Sequence, residues 1–288
     1  MTLDCEVVLT RSGEPAMRDR TTGEVMHPVI GPRIESHQLY VLPSRLRERL
    51  LESDDDPLVL LDVGLGAGSN AVAALELALS APRAHRPLRI VSFDRSVAAL
   101  EQALKPEFAG AFGFTGRLEH AARTLLASGH YVGEQVSWKL ALGSLPETLA
   151  EVAPRGADIV YWDPFSPAKN PDLWTVAAFT ELRARCREGA TFFTYSAATA
   201  TRSALLLAGF AVGEGEATGA GKRTTQAALS HHDLSRPLDA RWLLRLSRST
   251  APLPSDAPAG AFERIREMPQ FDASHVTAPP QLGQNRAL

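Results

Sequence analysis

The 288-residue chain has few cysteines, no long apolar run and little net charge. Its two cysteines, Cys5 and Cys186, lie far apart in no metal-ligand spacing, which excludes a disulfide-rich scaffold and a zinc finger. No apolar stretch has the length of a membrane span, and the N-terminus lacks the pattern of a secretory signal. The net charge of −3 gives no global basic field for nucleic acid, although a local patch is compatible with it. We therefore expect a soluble, cytoplasmic protein without a metal site.

Apolar runs alternate with segments of helical periodicity through the middle of the chain. The apolar runs predict five buried strands, at 58–63, 89–93, 136–140, 158–162 and 190–195. Helical periodicity appears at 69–80, 96–104, 145–152, 171–187 and 198–208. Two further runs, at 210–214 and 225–230, are close enough to pair as a final antiparallel hairpin. This alternation predicts an α/β fold with a mostly parallel seven-stranded sheet and helices on both faces.

The two flanking segments differ from this central region. The N-terminal segment is mixed in composition and opens with a hairpin-like pattern, and we expect it to pack on the functional site. Seven of the twenty prolines fall between Pro237 and Pro280, and only 241–248 and 259–267 look helical there. This tail either wraps over the core or is a partly ordered extension. The predicted parts are an N-terminal segment (1–57), a central domain (58–230) and a proline-rich C-terminal extension (231–288).

A glycine-rich turn follows the first predicted strand. Gly64, Gly66 and Gly68 allow sharp bends and a close approach of the backbone to a ligand. The dinucleotide fingerprint G-x-G-x-x-G would need glycine where Ser69 stands. The pattern D-x-G-x-G-x-G, opened by Asp62, instead resembles the first motif of S-adenosylmethionine-dependent methyltransferases, in which the loop passes beneath the methionyl part of the cofactor. The alternative is a glycine turn that only caps a helix.

Asp94 ends the second predicted strand, where these methyltransferases carry an acid for the ribose hydroxyls. A carboxylate that accepts two hydroxyl hydrogens is a good clamp for a diol. The alternative is a surface aspartate. The resemblance implies an S-adenosyl-L-methionine site formed by Asp62, Gly64, Gly66, Gly68, Asn70, Asp94, Gly143, Ser144 and Asp163.

A stiff loop, Tyr161–Trp174, follows the fourth predicted strand and contains three prolines, each of which fixes φ and removes a backbone donor. Asp163, Pro164 and Phe165 stand where amino-group methyltransferases carry an acid or amide, a proline and an aromatic residue. An amine must present its lone pair to the methyl group, so its hydrogens need acceptors such as the Asp163 carboxylate. These three are the predicted catalytic residues, with Phe165 stacking on a planar base. The alternative is a strand-ending turn with a structural aspartate; Trp174 is expected in the core.

The same loop carries the most specific resemblance. D-P-F-S-P-A-K-N-P-D-L-W is similar to the signature of the methyltransferase domain of the bifunctional tRNA wobble-uridine enzyme MnmC and of its stand-alone counterparts, the MnmD type. Supporting matches are Ile34–Val41, Gly66–Asn70, Ser92–Asp94 and Gly219–Arg223. The resemblance covers roughly residues 20–230 and implies a Rossmann-like class I fold. It further implies a methyltransferase that converts the aminomethyl group of a modified wobble uridine in tRNA to methylaminomethyl.

The resemblance also implies contacts with the anticodon stem-loop of tRNA. The predicted substrate-binding residues are Glu35, His37, Lys169, Lys222 and Arg223. The alternative for the basic residues is a solvated surface charge, and His27 and His37 are interpreted as structural or substrate-lining. Nothing in the chain resembles the flavin oxidase half of MnmC, so we expect methyltransferase activity alone.

Three departures from the family pattern leave the substrate open. The family usually has an acid at the position of Ser144, a glutamate at that of Asp62 and often a glycine at that of Pro164. Two other hypotheses therefore stand beside the tRNA enzyme. One is a small-molecule amine N-methyltransferase on the same scaffold, and the other is a non-catalytic RNA-binding protein with a cofactor fold. The sequence predicts no oligomeric state.

Overall fold

A computed structural model describes residues 4–27, 30–81, 86–152, 156–218 and 221–272 of the chain. Outside these residues lie the tail beyond residue 272, Pro28-Val29 of the N-terminal segment and the first two residues of Gly219–Arg223. Within the described ranges, no helix is long and apolar enough to cross a membrane.

The strands form a small N-terminal hairpin and one large sheet. The hairpin pairs β1 (Cys5–Leu9) with β2 (Pro15–Asp19). The large sheet contains β3 (Leu58–Val63), β4 (Leu88–Asp94), β5 (His130–Val132), β6 (Val136–Leu142), β7 (Ala157–Trp162), β8 (Cys186–Thr194), β9 (Ala211–Ala217) and β10 (Arg223–Ala228).

The large sheet has the order β5-β6-β4-β3-β7-β8-β10-β9 within the described residues. The five central strands are parallel, whereas β5, β9 and β10 pair antiparallel with their neighbours. The expected α/β fold is therefore confirmed. The sheet has eight strands instead of the predicted seven because His130–Val132 adds an antiparallel edge against β6. Three residues are too few for an alternating pattern to be recognised in the sequence.

Helices and helical turns cover the sheet. They are α1 (Pro32–Ser36), continued by a π-helical turn at His37–Val41, α2 (Leu46–Leu50), α3 (Ser69–Ser80), α4 (Ala98–Ala103), α5 (Arg117–Ser128), α6 (Glu147–Val152), α7 (Val176–Arg183), α8 (Thr199–Leu207), α9 (Ala240–Arg248) and α10 (Ala261–Arg266). Short 3₁₀ turns occur at Pro171–Trp174, His231–Asp233 and Pro269–Phe271.

The central strands are buried on both faces, which explains why they read as continuous apolar runs. All six residues of β3 and all six of β7 are buried. Alternate side chains enter opposite hydrophobic cores: Leu60 packs with the core beneath α3, and Leu61 packs with the core beneath α7 and α8. This packing on both faces fixes the position of each strand in the sheet. The carboxyl ends of the strands therefore form a rigid edge.

The predicted helix over 171–187 is wrong in extent. The segment forms a 3₁₀ turn and then α7, whose first turn is capped by the Thr175 side chain accepting from the Ala178 amide. The chain leaves the helix after Arg183, and Cys186 begins strand β8 instead of lying on a helix. A side-chain contact fixes the start of β8, because Arg187 Nε donates to the Gly156 carbonyl at 2.7 Å. Such a contact is not visible in local periodicity.

The described part of the C-terminal extension packs against the central sheet. Trp242 and Leu246 of α9 and Ile265 of α10 are buried in the same core as Phe192 of β8. Gln270 bonds both the amide and the carbonyl of Val212 in β9. Up to residue 272 the extension thus wraps the core, one of the two expectations. The three-part division of the chain remains a proposal.

Candidate active site

A cavity of about 860 Å³ opens at the carboxyl ends of β3, β4 and β7. The chain runs from β3 to β4 on one side, whereas β7 lies on the other, so this is a topological switch point of the sheet. Ligands of open α/β sheets bind at such points. Met17 from the N-terminal hairpin, Glu24 from the segment after it and Pro32 from α1 line the cavity from the opposite side.

The glycine-rich turn forms the floor of the cavity. Gly64 has φ 90° and Gly66 has φ 52°, a region that side chains disfavour. A Cβ on Gly64 would lie 2.5 Å from the Asp163 carbonyl oxygen, so a glycine is needed where this turn crosses the loop after β7. A Cβ on Gly66 would approach Met26 Sδ to 3.0 Å. The turn therefore exposes bare backbone to the cavity.

Asp94 ends β4 beside this turn and lines the cavity. Its carboxylate accepts the Gly66 amide at 2.9 Å and the Ser96 amide at 3.1 Å. Burial raises the pKa of this carboxyl, and these amide hydrogen bonds act in the opposite direction. Each oxygen holds one amide and keeps a lone pair for a further donor. A vicinal diol is a suitable pair of donors for this arrangement.

Asp163 follows β7 and contacts the N-terminal segment at the cavity wall. Its Oδ2 accepts from Asn70 Nδ2 at 2.7 Å and lies 3.5 Å from His27 Nε2. The other ring nitrogen of His27 lies 3.7 Å from Glu35 Oε1. The side chains of His27, Glu35 and Asp163 are each only 12% exposed. An imidazole is thus held between two carboxylates at the cavity wall.

Burial and charge shift the pKa values within this row of three groups. Burial raises the pKa of Asp163, although the charge of His27 and the hydrogen bond from Asn70 lower it. For His27, burial lowers the pKa, but the carboxylates of Asp163 and Glu35 outweigh burial and leave the pKa above its ordinary value. The raised pKa of Asp163 and the raised pKa of His27 both favour a proton held between the imidazole and the two carboxyl groups.

Backbone contacts fix the loop that carries Asp163. Tyr195 Oη donates to the Pro164 carbonyl, and Trp174 Nε1 donates to the Phe165 carbonyl, each at 3.0 Å. The Ser166 amide donates to Glu24 Oε1 at 3.3 Å, which ties the loop to the N-terminal segment. Trp174 is buried in the core, as expected. Phe165 lines the cavity and remains half-buried.

The cavity collects most of the predicted site residues. Those that line it are Glu35, Gly64, Gly66, Asn70, Asp94, Gly143, Asp163, Pro164, Phe165 and Lys169. Those outside the lining are His37, Asp62, Gly68, Ser144, Lys222 and Arg223. Gly68 caps the start of α3, and the Ser144 carbonyl accepts from the Thr148 amide at the start of α6. Arg223 Nε lies 3.6 Å from Glu214 Oε2, whereas Lys222 is exposed.

Asp62 lies within the sheet, not in the cavity. Its carboxylate accepts from the Ser92 hydroxyl at 2.7 Å, and Ser92 in turn accepts from Trp138 Nε1 at 2.9 Å. Burial raises the pKa of Asp62 to about 7, although the hydrogen bond from Ser92 acts against this rise. The geometry gives Asp62 a place in strand packing. Among the described residues, no cluster of three or more metal-ligating side chains is present.

Comparisons with known proteins agree with this geometry. Residues 120–230 match the model of a family described as S-adenosyl-L-methionine-dependent methyltransferase. The tRNA 5-methylaminomethyl-2-thiouridine biosynthesis bifunctional protein MnmC of Burkholderia vietnamiensis is 32% identical over 203 residues, 66% of this chain and 30% of that protein. The crystal structure of MNMC2 from Aquifex aeolicus superposes with a TM-score of 0.71 at 26% identity, covering 92% of this chain and 85% of that one.

Residues 120–230 thus belong to an S-adenosyl-L-methionine-dependent methyltransferase family, and the chain as a whole is similar to MNMC2. The expected resemblance to the MnmC methyltransferase family is confirmed. The methyltransferase matches less than a third of the length of its bifunctional relative. Spermidine synthase from Thermotoga maritima shares the fold, with a TM-score of 0.51 at 13% identity over 81% of this chain and 73% of that one.

Several residues of this methyltransferase site had no assigned role in the sequence. His27 was interpreted only as structural or substrate-lining, and Glu24, Tyr40 and Tyr195 were not singled out. Tyr40 is buried, and its hydroxyl faces the Asp163 carboxylate, a contact that lowers the pKa of Asp163. Burial and then the Asp163 charge raise the pKa of Tyr40 well above its ordinary value, so its hydroxyl stays protonated. In the sequence, Tyr40 appeared only within Ile34–Val41, a segment similar to one in the MnmC family.

Proposed function

We propose that the chain transfers the methyl group of S-adenosyl-L-methionine to the aminomethyl nitrogen of a modified wobble uridine in tRNA. The observation that carries this proposal is the buried Asp163 carboxylate, held between Asn70 and His27 beside the glycine turn. The name of the MnmC relative supports the tRNA substrate. The partner is then the anticodon stem-loop, and the setting is cytoplasmic.

The residues present fit the cofactor. The bare backbone at Gly64 and Gly66 suits the methionyl part, the Asp94 carboxylate suits the ribose hydroxyls, and Gly143 lines the cavity farther along the same edge. When bound, the cofactor supplies an electrophilic methyl group on a sulfonium. Asp62 and Ser144 would act only indirectly, through the strand and helix that they stabilise.

The row Asp163–His27–Glu35 prepares the amine. An alkylamine has a pKa near that of lysine, about 10.4, so it arrives mostly protonated at pH 7. Asp163 Oδ2 accepts a hydrogen bond from this ammonium group and orients the nitrogen. The Asp163 carboxylate, whose pKa burial raises, then takes the proton, while His27 stays protonated between Asp163 and Glu35. The nitrogen is then neutral and presents its lone pair.

Most of the remaining predicted residues have binding roles in this proposal. Phe165 stacks on the uracil ring from the cavity wall, and Lys169 contacts phosphate at the cavity rim. Thr218 lines the cavity, and its amide donates to the Lys222 carbonyl at 2.8 Å, so the loop that carries Lys222 and Arg223 reaches the same opening. His37 begins the π-helical turn that follows the helix of Glu35 and lies outside the cavity lining, so no direct substrate contact is assigned to it.

A small amine is the second candidate substrate. The observation that favours it is the acidic lining: Asp19, Glu24, Glu35 and Asp163 all line the cavity. Such a lining selects an ammonium group whether or not an RNA carries it. Methyl transfer to the free aminomethyl nucleoside and to simple alkylamines, compared with transfer to tRNA, separates the two candidates.

The proposal predicts that Asp163→Asn abolishes most of the methyl transfer. We expect a loss of at least about a hundredfold in kcat on tRNA bearing aminomethyl uridine, because the amine loses its charged acceptor. Affinity for S-adenosyl-L-methionine should change by no more than a few-fold. The matched control is Asp172→Asn, an exposed carboxylate on the same loop. Mass spectrometry of wobble nucleosides from cells without the gene should show accumulated aminomethyl uridine. Wild-type activity in Asp163→Asn would overturn the assignment.

A further inference from the structure

We propose that the outer face of α9 binds the phosphate backbone of the tRNA that the catalytic cavity receives. The surface consists of Arg241, Arg245 and Arg248 together with Thr199 and Thr250, and we call it the arginine face. This inference rests on the proposed tRNA substrate. Its three arginines lie beyond the 120–230 family match, in the C-terminal extension to which the sequence assigned no function.

Helix α9 separates its charges from its apolar residues. Trp242 and Leu246 point into the core, whereas Arg241, Arg245 and Arg248 are exposed on the other side. At 1.5 Å of rise per residue, the three arginines lie at about 0, 6 and 10.5 Å along the helix axis. A row of guanidinium groups at such spacing can contact successive phosphates of one strand.

The arginine face carries uncompensated positive charge. Across the described ranges, none of its three arginines forms an ion pair, whereas Arg202 beneath it lies 3.8 Å from Glu214. Burial lowers the pKa of Arg202, the Glu214 charge acts against this, and the nearby charge of Arg245 lowers the pKa further. A cationic surface without its own counterions releases bound ions when it meets RNA.

The arginine face forms a shallow hollow of about 580 Å³ with hydroxyl groups at its edge. Thr199 begins α8 and lines this hollow, and Thr250 follows the end of α9. Guanidinium and hydroxyl groups are the side chains that most often hold phosphate oxygens in nucleic-acid complexes. The hollow thus has the donors for a backbone and no acceptor carboxylate in its lining.

The arginine face lies on the same edge of the sheet as the catalytic cavity. Thr199 follows four positions after Tyr195, which lines the cavity. Four residues span at most about 14 Å of extended chain. An anticodon stem that places its wobble base beside Asp163 can therefore reach the arginine face with the adjoining backbone.

Charge reversal on this face is the direct test. We expect Arg245→Glu combined with Arg248→Glu to raise the KM for tRNA at least about tenfold, with kcat at saturating tRNA close to wild type. The slope of log affinity against log salt should become shallower by about 0.7–0.9 for each phosphate that the surface no longer neutralises. Methylation of the free aminomethyl nucleoside should be unchanged, because a nucleoside does not reach α9.

Two controls make the test specific. The first control is Arg47→Glu, which reverses an exposed charge on α2 and is compared with the single variant Arg245→Glu. Helix α2 lies at the opposite edge of the sheet, since its residue Arg49 pairs with Asp158 near the amino end of β7. Leu244→Ser removes the 59% exposed leucine beside the arginines without changing charge. Both controls should bind tRNA as wild type does.

The outcomes separate this inference from the proposed function. Equal tRNA affinity and equal salt slope in wild type and Arg245→Glu/Arg248→Glu overturn the arginine face as an RNA surface. A loss of tRNA binding in Leu244→Ser as large as in the arginine variant also overturns it, because the contact would then be apolar and typical of a docked protein. If wild type methylates no tRNA, the proposed function fails, while direct binding of tRNA by filter retention still decides this inference.

Discussion

At the residue scale, Asp94 shows how a single carboxylate can be prepared for a cofactor. It sits at the end of β4, with the Gly66 and Ser96 amides donating to different oxygens. These bonds fix the carboxylate plane and hold the remaining lone pairs towards the cavity. Burial has already removed much of the water from this group. Hydroxyl donors from a ribose would therefore gain the strength of charge-assisted hydrogen bonds.

Replacing Asp94 with alanine should weaken S-adenosyl-L-methionine binding. The missing charged hydrogen bonds correspond to about 1.5–3 kcal/mol, or roughly a 10–150-fold rise in Kd. Titration calorimetry with the cofactor measures this directly. Asp55→Ala, an exposed carboxylate before the amino end of β3, is the control and should bind as wild type does. An unchanged Kd for Asp94→Ala would place the ribose elsewhere in the cavity.

Residue positions at strand ends were predictable, whereas side-chain partners were not. Asp94 and Asp163 each follow an apolar run, so their places at the cavity edge follow from the sheet alone. Asp62 belongs to the same glycine motif but lies inside β3, where the position of Ser92 on the neighbouring strand decides its contact. His27 comes from a distant segment, and no local pattern connects it with Asp163.

At the element scale, the site depends on how closely two strand-end turns approach each other. The Asp163 amide donates to the Val63 carbonyl at 2.8 Å, so the parallel pairing of β3 and β7 continues into the loops. Gly64 follows at once, with its Cα facing the backbone of Asp163 and Pro164. The catalytic loop is thus positioned by the glycine turn as well as by its own prolines.

Gly64→Ala should destabilise the fold and displace the catalytic loop. Its Cβ would meet the Asp163 carbonyl oxygen at 2.5 Å, and its φ of 90° is unfavourable for alanine. Left-handed strain and overpacking together give about 2–5 kcal/mol. Urea unfolding should measure this loss.

Gly129→Ala is the control for the strain at Gly64. Gly129 has φ 77° at the end of α5 and open space around it, so only strain of about 1–2 kcal/mol applies. Equal losses in the two variants would contradict the proposed close contact between the turns.

At the same scale, strands that are buried on both faces could be predicted from the sequence. Strands β3 and β7 are buried on both faces, so each appears as an unbroken apolar run. The start of β8 and the short strand β5 could not be located, since Arg187 pairing with Gly156 and the register of His130 against Lys139 set them. Tertiary contacts of this kind leave no periodic signal in the sequence.

At the scale of the whole molecule, the two hydrophobic cores on opposite faces of the sheet include segments from different ends of the chain. One core contains Tyr40, Leu39 and Met17 and so joins the N-terminal segment to the sheet. The other contains Trp242 and Ile265 and joins the C-terminal extension to it. Segments at both ends of the described chain therefore contribute to the packing that holds the catalytic edge rigid.

This arrangement predicts that Trp242→Ala lowers the stability of the entire protein. Trp242 is 5% exposed and stacks on Phe271 with ring centroids 6.0 Å apart, and its loss would leave a large cavity beside β8. Truncation of a buried tryptophan costs about 3–5 kcal/mol. Leu244→Ala, on the exposed face of the same helix, should cost less than about 0.5 kcal/mol.

The shape of the unfolding curve decides whether the extension is a separate part. If α9 and the sheet form one cooperative unit, circular dichroism and tryptophan fluorescence will report a single transition in Trp242→Ala, shifted to lower urea. If residues 231–288 fold independently, the variant will lose α9 in an early transition, and the sheet will unfold at the wild-type midpoint. The burial of Trp242 and Leu246 in the same core as Phe192 favours the single transition, because a cavity beside β8 weakens the packing of the whole sheet.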